Sequence, residues 1–440
     1  MNKYAIYFLV LALISLFISG LVGVLSSFQY IYPNLLKESL HFAKLRPIHV
    51  VSSVSWIILA ATGIIYFFLS THTKTKLFSG KLAGFHFYLF LAIGLSIYLS
   101  ILFGKIGGRE FFVFAPLLII PILLGWLLFA FNYFKSVRQK IVNWPVYYWM
   151  WGTGIAFMVF HLSEAHLWLI PSFRENYIRD LVIQWKSVGS FVGSWNQLVY
   201  GISIYLMTKI KGDKKLAHGK LVFFFYFLGL ANLMFGWAHH TYIIPTQSWV
   251  RIVAYVISMT EWVILFHIIY SFIKSLPREK RKANSMAFRF LVAADIWVFL
   301  NLILALLMSI PAINYFTHGT HITVAHTMGT MIGINSMILL AAIGYIISVS
   351  QPLFQIRKRV IFAYKLLNAS LFLFLITFVV AGIARSKWMY ANQGASFGEM
   401  QTSLHAVYVG MVITGLLVFV GLLILIVEAI QTLVTFVNKS

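Results

Sequence analysis

Three short stretches hold the side chains able to do chemistry in an otherwise apolar chain. In "GWAHHTYIIP", Gly236 to Pro245, two adjacent histidines close a hydrophobic run. Imidazole is costly in hydrocarbon unless it bonds something, so His239 and His240 require a partner. In "THGTHITVAHTMGTMIG", Thr317 to Gly333, His326 and Met328 lie two apart, about 200° around a helix, and face opposite sides. Imidazole and thioether both bind haem iron, so one helix can offer a ligand to each of two cofactors. The plainer alternative makes Met328 ordinary core and His326 a hydrogen-bonded buried group. In "LRPIHVVSSVSWI", Leu45 to Ile57, His49 sits beneath Lys44 and Arg46. Those cations suit acidic groups such as haem propionates, or simply snorkel to an interface.

The background makes these residues conspicuous. Of 440 residues, 60% are hydrophobic and only 10% charged, and the mean hydropathy is +0.87. Soluble chains carry about 25% charged residues, so this is an all-α integral membrane protein. Cysteine is absent, which excludes disulfides, zinc-thiolate and iron–sulfur sites, covalently attached haem c and thiolate copper. Any metal must be held by His, Met, Asp, Glu or Tyr. The net charge of +23 arises in short inter-helix loops and reports membrane orientation rather than nucleic-acid binding.

Twelve spans position the candidates, at roughly 4–26, 48–71, 82–104, 112–134, 146–170, 187–208, 219–243, 250–273, 287–311, 320–347, 360–384 and 403–436. They form one membrane domain over residues 1–440, with no soluble domain and a first segment that is retained. About two-thirds of the Lys and Arg fall in the set of loops that includes both termini, which places both termini in the cytoplasm. His49, His239 and His240 then lie at the outer face, and His326 about 9 Å below it. Four scattered histidines thus share one outer layer. Asp295 in span nine is either a proton relay or a locally paired acid. No phosphate-binding glycine loop, Ser/His/Asp constellation or base-stacking patch is present.

Twelve spans with cytoplasmic termini, a histidine opening span two, an HH pair ending span seven and the span-ten motif together make the chain similar to the catalytic subunit of the haem–copper oxidase superfamily. It most resembles the bacterial nitric oxide reductases and, more distantly, the C-type oxidases. The resemblance implies a twelve-helix bundle with two b-type haems and a non-haem iron or copper. By the same resemblance His49 binds the low-spin haem, His326 the high-spin haem, and His239 with His240 the non-haem metal. Glu261 in "SMTEW", 21 residues after His240, matches a glutamate of the reductases. It is assigned to proton delivery or to metal ligation.

The chain departs from the family pattern in two places. Met328 replaces the second histidine of a His-x-His motif, which makes the low-spin haem His49/Met328-ligated and raises its potential. The span-six positions of a third metal histidine and a glutamate fall near Val188 and Val192. Two nitrogens rarely hold a first-row metal, so the site is either empty or completed from elsewhere. His161 and Glu164, three apart on one helix face and close to His166, offer a replacement ligand set or an interfacial hydrogen-bonded cluster.

The expected activity is reduction of nitric oxide to nitrous oxide in a bacterial inner membrane. Electrons would come from a partner subunit, a soluble cytochrome or quinol, with no nucleic acid involved. Dioxygen reduction is the nearest rival. A divergent haem protein for electron transfer or gas sensing is the alternative of another class.

Overall fold

The structure is a computed structural model that describes residues 2–71, 77–137, 141–240, 247–350, 357–391 and 394–439. The side chains of Ile141, His239, His240 and Val437 to Lys439 lie outside that description. Each predicted span corresponds to a helix: α1 (Lys3–Phe28), α2 (Phe42–Thr71), α3 (Gly80–Leu102), α4 (Ile119–Ser136), α5 (Val146–Glu164), α6 (Tyr177–Lys211), α7 (Lys220–Phe235), α8 (Ser248–Ser275), α9 (Ser285–Ser309), α10 (His321–Ser350), α11 (Lys358–Ala391) and α12 (His405–Lys439). A 3₁₀ turn, Gly236–His240, extends α7. Among the described residues the only β pairing is one isolated bridge, Ile106 with Phe114.

Local sequence sets the ends of these helices. The Asn2 and Ser79 side chains accept from the Tyr4 and Leu82 amides, and Asn176 does the same for Arg179 at the start of α6. Gly212, at φ +70°, closes α6 in the left-handed conformation that glycine adopts without cost. A capping box of Ser396 and Glu399 starts the short helix Phe397–Ser403. Those hydrogen bonds from Ser396 hold the exposed Glu399 carboxyl below its ordinary range.

Among the described residues, ten helices are long and apolar enough to cross a membrane by themselves. The other two predicted spans, α5 and α6, carry Trp, Ser, Asn and Gln. From Ser187 to Ile210, α6 is almost wholly buried, so these side chains meet protein rather than lipid. The centre of the bundle is α10, with 83% of its most apolar window buried, against 22% for peripheral α3. Helices α2, α6, α9, α11 and α12 surround α10.

Glycines set the registers. On α6 a side-chain carbon at Gly189 would lie 2.7 Å from Trp237 Cβ, and one at Gly193 would lie 3.0 Å from Leu233 Cα. Gln197 packs on Gly229, and Ser190 Oγ donates to the Leu233 carbonyl at 2.7 Å. Four residues forward on α6 match four back on α7, so the two run antiparallel through a small-xxx-small seam. Extended two places, this register brings the backbone of His239 and His240 level with Ser187 and Lys186. Helices α9 and α10 pack the same way, Gly329 on Asn301, Gly333 on Trp297 and Gly344 on Met286.

Within α10, Gly329–Ser336 is a π-helix, a rare widening that concentrates at functional sites. The His326 carbonyl just before it accepts from Asn301 Nδ2 at 3.2 Å and Thr330 Oγ1 at 3.1 Å. Ser336 Oγ donates to the Met331 carbonyl at 2.7 Å. Side chains thus take up backbone bonding that the wide turn releases. The widening uncouples the facing of His326 and Met328 from that of the lower half of α10.

Close helix approach predicts the behaviour of the glycines. Gly193→Leu should lower stability by about 1–3 kcal/mol, because its side chain meets the backbone of α7. Gly94→Ala, with open space around it, should leave the thermal midpoint of the detergent-solubilised protein unchanged or slightly raised.

Candidate functional site

His49 is the best-defined candidate. Its Nδ1 lies 2.8 Å from the Ser19 carbonyl of α1. A carbonyl only accepts, so Nδ1 carries the proton and Nε2 keeps its lone pair. That is the tautomer a histidine needs in order to ligate a metal, with the bond that orients the ring already made. Gly23 lets α1 approach, since a side-chain carbon there would lie 2.8 Å from His49 Nδ1. Ser19 Oγ and Ser53 Oγ, 2.5 Å apart, complete the polar support. The ring is half-buried, inside the bundle.

Met328 lies level with His49. Trp56 Nε1 donates to Ser336 Oγ at 2.8 Å, and Phe68 meets Tyr345 further down both helices, so α2 and α10 run parallel. Counting back seven residues from Trp56 reaches His49, and eight from Ser336 reaches Met328, about 10 and 12 Å respectively. Half-buried Met328 faces a cluster of Ala325, Phe378, Tyr408 and Tyr30, on the side of α11 and α12. His326 leaves α10 in the other direction and stacks on Trp262 of α8, ring centroids 5.8 Å apart and planes 26° apart. Its Nδ1 is buried with no hydrogen-bond partner. One helix therefore presents an imidazole to one compartment and a thioether to another.

Glu261, beside Trp262, is 2% exposed. Its carboxylate accepts from Asn232 Nδ2 of α7, and Asn232 Oδ1 accepts from Ser258 Oγ at 2.8 Å. Gln197 and Gly229 pack against the same group. Gly229 is ten residues from His239 along α7, about 15 Å, so the carboxylate sits well below the HH pair. That depth favours proton handling over ligation of a metal held by the pair.

The remaining candidates form an ion-pair layer around the end of α5 and the start of α6. His161 Nδ1 lies 3.0 Å from Glu164 Oε2, and Lys186 Nζ bonds the other carboxylate oxygen. His166, flanked by Phe112 and Phe114, donates through Nδ1 to the Leu162 carbonyl at 2.9 Å. Arg46 pairs with Glu110 at 2.8 Å, and Arg109 forks onto Asp180 at 2.7 and 2.9 Å while covering Trp168. Among the described residues, no group of three or more His, Asp or Glu is gathered as a metal needs. Val188 is buried and apolar, and Val192 partly so. The HH side chains lie outside the described residues.

Residues 3–430 match the family of cytochrome c and quinol oxidase polypeptide I. The chain belongs to that family. It is 23% identical to a nitric oxide reductase subunit of Stutzerimonas stutzeri, over 77% of this chain and 73% of that protein. It is likewise 23% identical to a cytochrome c oxidase subunit 1 homolog of Agrobacterium tumefaciens (strain T37), over 94% of this chain and 80% of that one. A cryo-EM structure of a haem–copper terminal oxidase dimer shares the fold at a TM-score of 0.74 and 13% identity, covering 98% of this chain and 84% of that one.

Membership implies haem and a metal centre, and the two parts fare differently against these residues. The haem ligands fit: His49 has its tautomer fixed, and His326 and Met328 keep accessible surface inside the bundle. For the metal, the His239 and His240 side chains lie outside the described residues, and of the further candidates His161 has Nδ1 on Glu164 and Nε2 without a protein partner. Sequence reasoning missed Ser19, Trp262, and a cluster under the outer surface where Arg385 Nε and His321 Nδ1 are buried without partners. Tyr30 shares that cluster; burial pushes its phenol up, against the pull of Arg385 and Arg46. An arginine near the end of α11 gave no spacing signal in the sequence.

The Gly23–His49 contact yields a prediction. Gly23→Val should displace the imidazole and abolish or shift the low-spin haem absorption of the purified protein. Gly410→Ala, where the added carbon would lie 3.6 Å from Thr377, should leave it unchanged.

Proposed function

We propose that this chain is the haem-carrying catalytic subunit of a membrane oxidoreductase that reduces nitric oxide to nitrous oxide. The observation that supports the reading most directly is Glu261, a buried carboxylate one residue from the indole that stacks on His326. Joining two nitric oxide molecules and releasing one oxygen as water consumes two electrons and two protons. Haem, when bound, supplies iron for electron exchange and for holding the gas. The chain's own residues do the rest. His49, oriented by the Ser19 carbonyl, and Met328 hold one haem, and His326 holds the other on the α8 side. Glu261, buried among Gln197, Asn232 and Ser258, is the proton-handling group, and Asn232 with Ser258 fixes the carboxylate.

Electrons reach the site from an electron-donating subunit, a soluble cytochrome or quinol, since the chain lacks the cysteine needed for covalent haem c. The excess of Lys and Arg in alternate loops supports cytoplasmic termini in a bacterial inner membrane. His239 and His240 are assigned to a non-haem iron or copper, with His161 and Glu164 as the nearest further donors at that depth.

A second reading rests on Val188 and Val192. With two apolar residues at those positions and no further donor recruited, the chain would be a haem protein for electron transfer or gas sensing. Haem and metal analysis per chain, with a nitric oxide electrode, separates the two. Two haems plus one further metal with nitric oxide consumption supports the reductase; two haems without the metal and without consumption sinks it. Glu261→Gln should cut nitric oxide turnover about a hundredfold, the scale of a lost acid–base group, and leave both haem spectra in place.

A further inference from the structure

The two histidines assigned to haem are supported in different ways. His49 has the hydrogen bond that usually orients a ligating imidazole, Nδ1–H to a carbonyl at 2.8 Å. His326 has none, since its Nδ1 is buried without a partner. The described groups bonding near it reach its backbone instead: Asn301 Nδ2 and Thr330 Oγ1 both donate to the His326 carbonyl. They fix the helix and leave the ring free to turn about its side-chain torsions. What meets the ring face is Trp262, offset-stacked at 5.8 Å and 26°. Trp262 is itself 8% exposed, and its neighbour Glu261 is anchored across to α7. The indole is therefore buried on a helix that Glu261 ties to α7.

We infer that Trp262 is the positioning residue of His326, setting the imidazole plane by ring stacking where its sister ligand uses a hydrogen bond. This rests on the reading of His326 as a haem ligand. The difference has an electronic consequence. A carbonyl at Nδ1 raises the basicity of the ligating nitrogen, whereas a stacked indole orients the ring without adding charge to it. His326 is thus oriented but unpolarised, the weaker donor of the two histidines. Because Trp262 adjoins Glu261, the ring that orients the ligand and the carboxylate that handles protons move as one unit of α8.

The test reads the ligand bond, not turnover. In the ferrous full-length protein, the iron–histidine stretching band of the high-spin haem is recorded by resonance Raman, together with the rate of haem loss to excess apomyoglobin. Trp262→Leu should broaden and shift that band and speed loss of the high-spin haem about three- to tenfold, the range of one aromatic pair. Trp262→Phe, which keeps a stacking face, should stay near wild type. The low-spin absorption from His49 should be unchanged in both and serves as the folding control. Should Trp262→Leu lose both haems, Trp262→Met against Trp262→Phe reads the same contrast. A wild-type band and loss rate in Trp262→Leu or Trp262→Met overturns the positioning role. Absence of any iron–histidine band in the wild-type protein overturns the ligand assignment itself, a failure visible before any variant is made.

Discussion

In hydrocarbon a polar side chain has only other protein groups to bond, so the arrangement of this bundle follows from where its few polar atoms find partners. The His49 imidazole finds the Ser19 carbonyl, and that bond joins α2 to α1. Asn301 finds the His326 carbonyl and the Thr330 hydroxyl, joining α9 to α10. Asn232 finds both Glu261 and Ser258, joining α7 to α8. Each bond closes one helix pair, and each sits beside a residue assigned to chemistry. The polar atoms that hold the fold and those that form the site are largely the same atoms.

Close helix approach makes these bonds possible. Without side chains at Gly189 and Gly193, α6 reaches the backbone of α7, and Ser190 can span the gap to the Leu233 carbonyl. The glycine seam of α10 against α9 places Asn301 at the start of the π-helix, where the ladder of α10 already shifts. The wide turn then permits two neighbouring side chains, His326 and Met328, to serve different compartments while the lower half of α10 keeps its packing on α2. Interface glycines, a polar residue opposite them and a local change of helix type act as one device.

Much of this was legible in the sequence. A long apolar run must be a helix in a membrane, so spans such as 4–26 and 287–311 fall within a few residues of α1 and α9. The two-residue spacing of His326 and Met328 carried their opposite facing without any tertiary information. Span six was harder: its predicted start near residue 187 cuts ten residues from α6 (Tyr177–Lys211), because the first turns are amphipathic and Asn176-capped rather than greasy. Supporting contacts could not be read at all. Ser19, Trp262 and Arg385 are ordinary residue types in ordinary helices, and their meaning lies in which helix faces them.

The same distinction explains why the haem and metal halves of the site differ in legibility. Each proposed haem ligand is a single residue of a family motif, so His49 and His326 could be proposed from resemblance, depth and residue type. A non-haem metal needs donors from several helices converging within bonding distance, and the register of α6 against α7 decides which residues those are. That register sets the backbone of residues 186–188 of α6 beside the turn that carries the HH pair. Lys186 is an ammonium already committed to Glu164, which in turn holds His161. Drawing Glu164 into metal ligation would take a carboxylate oxygen from Lys186, whereas His161 keeps Nε2 without a protein partner beside its Nδ1 contact to Glu164. A donor from α5 would therefore be His161 through Nε2, with Glu164 the carboxylate behind it and Lys186 still paired.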